Sequence, residues 1–119
     1  MKITVFEKLA VAVLTSFAFA TAAAAHAKLE SADPAAGSTV SSSPNQVTMH
    51  FTEELEPKFS GAEVDDAGGT RVDTGSSVSG STMRVGLKAL AAGTYTVQWH
   101  ALSLDTHKTH GSFKFHVGK

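Results

Sequence analysis

The chain has 119 residues, a formal net charge of −1, 42% hydrophobic residues and no cysteine. That length allows one small domain, and the near-neutral charge argues against nucleic acid as a partner. Without cysteine there are no disulfides, thiolate metal sites, Cys nucleophiles or dithiol redox chemistry, and the core must hold without covalent help.

Residues 1–8, MKITVFEK, carry two lysines and one glutamate, and residues 9–25 then run uncharged and thin into alanines. This is the shape of a secretory signal, whereas a membrane-spanning helix needs about 20 solidly apolar residues with interfacial anchors. Two small-x-small cleavage patterns compete, Ala23-Ala24-Ala25 before His26 and Ala25-His26-Ala27 before Lys28. The expectation carried forward is the first, with residues 1–25 a removed signal peptide and residues 26–119 the mature domain. That domain has 94 residues, and the loss of Lys2, Lys8 and Glu7 takes its net charge to −2.

From Ala27 onward no helical period is sustained. Apolar residues alternate in short runs separated by Gly, Ser, Pro and Asp, which predicts an all-β chain. Seven strands are expected, at 27–31, 46–52, 59–64, 70–73, 82–87, 94–102 and 111–117. Seven strands in so short a domain suit an immunoglobulin-like Greek-key β-sandwich. The stretches at 33–38, 65–70 and 75–81 are rich in turn formers, and the last two read as exposed hairpin turns. LAAGTYTV, residues 90–97, looks like a tyrosine corner, in which a Tyr entering a late strand bonds back to upstream backbone. Period-2 alternation places Val47, Met49 and Phe51, then Tyr95, Val97 and Trp99, then Phe113, Phe115 and Val117 in the core. His50, Lys114 and His116 therefore point to solvent.

The segment SLDTHKTHG, residues 103–111, lies between the two most apolar strands. Asp105 and His107 are two apart, so in extended backbone they emerge on one side, and a carboxylate and an imidazole so placed can close on one metal ion. Alone, D-x-H is a common pattern that also suits a polar connecting loop. A histidine at position one of the mature chain changes its weight. His26 would then offer its α-amine and its ring Nδ1 together, and with His107 and Asp105 the set is three nitrogens and one oxygen. That set suits tetragonal Cu(II).

HAKLESADPAAGS at the mature start, HFTEELEPKFSGA at 50–62, LAAGTYTVQW at 90–99 and SLDTHKTHGSFKFHV at 103–117 together resemble the CopC family of periplasmic copper-binding proteins. The resemblance implies a seven-stranded Greek-key sandwich of cupredoxin-like topology, a periplasmic location and one Cu(II) per chain. It implies His26, Asp105 and His107 as ligands and Glu53 as a weak or outer ligand, the alternative for Glu53 being a solvated charge at a strand end. It also implies a non-enzymatic copper carrier or buffer in homeostasis or resistance, with an inner-membrane transporter of the CopD type as partner. Some members add a methionine-rich Cu(I) site, but here only Met49 and Met83 follow the signal, and Met49 alternates with core residues, so a Cu(II)-only member is expected. His110 departs from the family pattern. It could approach the metal from the turn, although its parity is opposite to that of His107 and favours solvent; His100 is a weaker candidate still. Two other functions compete: a copper oxygenase built on a His-first copper brace, and a metal-free immunoglobulin-like interaction module.

Overall fold

A computed structural model describes residues 26–118, so the expected signal peptide at 1–25 lies outside the described residues. The strands are β1 (Leu29–Asp33), β2 (Thr39–Val40), β3 (Gln46–Phe51), β4 (Gly61–Asp65), β5 (Asp73–Ser79), β6 (Thr82–Leu87), β7 (Gly93–Leu102) and β8 (Lys108–Val117). They form two four-stranded sheets, β1-β3-β6-β5 and β2-β8-β7-β4. All pairs are antiparallel except β2 with β8. Only β5-β6 and β7-β8 are hairpins within one sheet. The other connections pass between sheets, as in the expected Greek-key sandwich.

Odd-numbered residues of β3, β6, β7 and β8 face the space between the sheets. Val47, Met49, Phe51, Met83, Val85, Tyr95, Val97, Phe115 and Val117 are all buried there, with Ala62 and Val64 contributed by β4. Met49 and Met83 are both fully buried, so their thioethers serve as packing. Trp99 and Phe113 are only partly buried, at the margin of this core. The Trp99 ring stands edge-on to Phe51 at 5.1 Å. The tyrosine corner is present: the Tyr95 hydroxyl donates to the Ala91 carbonyl at 2.6 Å. His50 and Lys114 are exposed, while His116 is half-buried, with its Nδ1 2.9 Å from the Thr94 hydroxyl.

Three local expectations need correction. Residues 75–79, read as a hairpin turn, belong to β5, and the turn is confined to Gly80 and Ser81. β5 lies at a sheet edge and is mostly exposed, so its serines show no apolar alternation. Residues 70–73 form no strand of their own: Arg71 makes one isolated bridge to Asp65, and regular pairing starts at Asp73. The two-residue β2 was not expected. It is held by Thr39 and Val40 pairing with His116 and Val117, too short a stretch to leave a period.

Candidate metal centre

Two segments far apart in sequence meet at one end of the sandwich. The first is the segment that opens the described residues, from His26 to the start of β1. Ala27 is fully buried, and Lys28 exchanges hydrogen bonds with Thr52, its N–H reaching Oγ1 at 2.9 Å while the Thr52 N–H reaches its carbonyl at 2.9 Å. Beyond them Leu29 pairs with Phe51 at the start of β1. These contacts fix the backbone on which His26 stands, while His26 itself stays exposed.

The second is the β7–β8 connection. Leu102 and Lys108 are the last paired residues of the hairpin, and the Ser103 N–H donates to the His107 carbonyl at 3.0 Å. Inside this closure Thr106 donates to the Ser103 carbonyl at 2.9 Å. Thr106 has φ 73°, the one positive φ of a non-glycine among the described residues. That region is sterically costly for a β-branched residue, and the surrounding bonds hold it there. The tight reversal puts Asp105 and His107 side by side. Residues 54–56 brace the loop from outside, with Leu104 donating to the Glu54 carbonyl at 3.2 Å and Glu56 to the Leu102 carbonyl at 2.8 Å.

At the junction the rings of His26 and His107 lie 4.5 Å apart, tilted by 50°. His107 Nδ1 is 3.3 Å from Asp105 Oδ1. Both side chains of the D-x-H pair are about half exposed, 45% for His107 and 49% for Asp105, so an ion can reach them from solvent. Asp105 Oδ1 also accepts a short hydrogen bond from the Ser103 hydroxyl. That bond, followed by the one with His107, holds the Asp105 carboxyl below the usual carboxylate range. The group is therefore ionised at neutral pH, as a metal ligand must be. The contact with Asp105 keeps the imidazole and the carboxylate side by side, and both remain open to solvent.

His26, His107 and Asp105 thus form a chain of two contacts that share His107. Among the described residues no three His, Asp or Glu side chains converge on one point. Side chains alone supply two nitrogens and one oxygen, and a fourth donor must come from elsewhere. The His26 nitrogen, an amide as long as Ala25 is attached, becomes that donor only as a free amine. Glu53 is half-buried on the segment between Thr52 and Glu54, beside both halves of the site. Among the described residues, no hydrogen bond or ion pair links its carboxylate to His26, Asp105 or His107. His110 does not sit on the turn: it lies within β8, exposed and directly opposite His100.

Ser103 is the residue that sequence reasoning missed. It is 1% exposed, and its hydroxyl is 3.3 Å from both the N–H and the carbonyl of His107 as well as bonding Asp105. The signal was available, because residues 103, 105 and 107 share strand parity, and a serine completing that row is placed to bond the aspartate.

The CopC domain family matches residues 29–118. This chain belongs to the CopC family. It is 38% identical over 105 residues to copper resistance protein C of Pseudomonas syringae pv. tomato, covering 80% of this chain and 82% of that one. It is 34% identical over 100 residues to the copper transport protein CutJ of Bacillus subtilis, covering 80% of this chain but 18% of that protein. The crystal structure of CopC from Methylosinus trichosporium OB3b superposes with a TM-score of 0.74 at 30% identity, covering 78% of this chain and 94% of that one. Membership places this CopC protein among those that handle copper.

Proposed function

We propose that this CopC protein is a periplasmic Cu(II) carrier or buffer rather than an enzyme, binding one ion per chain after a signal peptide is removed behind Ala25. The ligands are the His26 amine and ring, His107 and Asp105, with Glu53 as a weak or outer ligand. Copper is the cargo. The observation that carries this reading is the meeting of the His26 and His107 rings at 4.5 Å with the Asp105 carboxylate 3.3 Å from His107 Nδ1. The donor set is three nitrogens and one oxygen, which suits tetragonal Cu(II). The buried thioethers of Met49 and Met83 are no ligands for Cu(I), so reduction should loosen the metal. The match to a minor part of CutJ, a far longer copper transport protein, supports an inner-membrane transporter of the CopD type as the recipient or source of the ion.

The deciding experiment is to place one glycine before His26 in the processed protein. Every side chain stays in place, but the amine becomes an amide nitrogen that keeps its proton near neutral pH. A nitrogen ligand is lost, and with it the chelate that presets the ring. The expected loss of Cu(II) affinity is at least the roughly 10- to 100-fold known for disturbing outer-shell partners. In the native form affinity should also fall as pH drops, because protons compete with the ion for the amine and imidazole nitrogens. The extended form should lack the amine's share of that slope. Equal affinities and slopes, titrated against a competing chelator, would show that the amine is not a ligand.

A further inference from the structure

We propose that His100 and His110 form a second, weaker site for a borderline transition-metal ion such as Cu(II) on the outer face of the β2-β8-β7-β4 sheet. The two are direct partners across the β7–β8 ladder. Their neighbours Trp99, Ala101, Thr109 and Gly111 have the inward parity, so both imidazoles stand on the solvent side, and both residues are exposed. Side chains directly opposite on adjacent antiparallel strands have Cβ atoms about 4.5–5.5 Å apart. Two imidazoles on that base can reach one ion at metal–nitrogen distances of about 2.0–2.1 Å. Neither ring makes a hydrogen bond to another described residue, so no existing bond must be broken.

The surroundings favour a cation. His100 and His110 line one surface depression with Glu63, Gln98, Trp99, Gly111 and Ser112. The Glu63 carboxylate brings negative charge to its wall, although it is shared with Arg71 at 3.5 Å. On the β4 side, Gly61 leaves room for the His100 ring; a Cβ there would stand 3.4 Å from its Cε1. The ring leans over Gly61 and must turn about its side-chain torsions to meet His110, a rotamer change open to an exposed side chain. Two nitrogens without a third fixed ligand make a weak site, and the absence of sulfur points to Cu(II) or Zn(II) rather than Cu(I). The site is distinct from the first one. His107 is three residues from His110, about 10 Å along a strand rising about 3.3 Å per residue, and has the opposite parity.

The test uses the processed protein carrying His26→Ala and His107→Ala, in which the first site is dismantled, titrated with Cu(II) and followed by paramagnetic broadening of backbone amide signals. One equivalent should still bind, broadening Gly61, Gln98 and Ser112 first. Adding His100→Ala or His110→Ala should each weaken that binding by at least about 10-fold. No binding in the double variant, or binding that neither further substitution changes, would overturn the proposal; the latter would move the ion to His50 or His116. The outcome is independent of the first site, whose failure would appear as the loss of the tight equivalent in the native protein.

Discussion

At the scale of single residues the candidate centre turns on Ser103, which touches no ion and yet orders both members of the D-x-H pair. Its hydroxyl bonds Asp105 and meets the backbone of His107 on both sides, all from a position that solvent barely reaches. Ser103→Ala should free the Asp105 carboxylate to rotate. Cu(II) affinity should then fall about 10- to 100-fold, the range for removing an outer-shell partner, with altered electron paramagnetic resonance parameters. Ser103→Thr keeps a hydroxyl and should recover part of both, which a purely structural defect would not allow. His50→Ala and His116→Ala, each on the solvent side of a strand, should leave affinity unchanged. If Ser103→Ala matches them, Asp105 needs no support. Asp105 and His107 were legible in the sequence because a two-residue spacing is itself geometric, and His26 because a cleavage pattern stood before it. That the three belong together came from the family resemblance and not from spacing, since their meeting depends on Thr52, on the backbone of Glu54 and Glu56 and on the burial of Ala27.

At the scale of elements, the β7–β8 hairpin carries both loop residues of the candidate site and its own alternation was clear. Tyr95, Val97, Phe113, Phe115 and Val117 fell on the inward face as their period required, because both strands pack one face on the core. β5 and β2 were illegible for the converse reason: an exposed serine-rich edge and a two-residue contact bury too little to impose a period. One glycine of the hairpin has a steric role. Gly111 pairs with Trp99, and a Cβ there would lie 2.7 Å from the indole Cζ2 and 2.9 Å from Cε2. Those atoms belong to a rigid ring already edge-on to Phe51, so they have little room to yield. Gly111→Ala should therefore destabilise the fold by about 1–3 kcal/mol, the usual cost of overpacking, seen as a lower urea midpoint at unchanged slope. A neutral result would mean that Trp99, at the margin of the core, can swing outward.

At the scale of the whole molecule, the two sheets must be joined along an edge as well as across the core, and β4 and β5 provide that seam. β4 is the outer strand of one sheet and β5 of the other. The open edge of β4 is not left bare: the Ala62 N–H donates to the Ser76 hydroxyl at 3.1 Å and the Val64 N–H to Asp73 Oδ1 at 2.9 Å. Both acceptors come from β5, so side chains replace the missing strand partner and the edge is closed to other chains. Asp73 is the stronger clasp, since its buried carboxylate also takes two hydrogen bonds from Arg71, each of 2.8 Å. Those bonds, led by the one from Arg71, hold its carboxyl below the usual carboxylate range against the opposing effect of burial. A carboxylate whose folded pKa is depressed binds fewer protons in the native state than in the unfolded one. Its stabilisation is therefore complete above the unfolded pKa of about 3.9 and is lost as pH falls through the folded value. Asp73→Asn keeps the shape and an oxygen for Val64 but removes the charge facing Arg71. At pH 7 it should cost on the order of 1 kcal/mol, the net worth of a hydrogen bond, because the Arg71 donors left facing a neutral amide are half exposed and water can take them up. The informative feature is the pH dependence of that difference. As pH falls below about 4 the unfolded chain takes up a proton that the native carboxyl, with its lower pKa, still lacks, so the native protein loses its advantage and the unfolding midpoints of the two proteins should converge. Thermal unfolding of both between pH 7 and pH 2 measures this directly. Parallel curves, with the same gap at every pH, would mean that the loss comes from packing and that the Asp73 charge does not hold the sheets together.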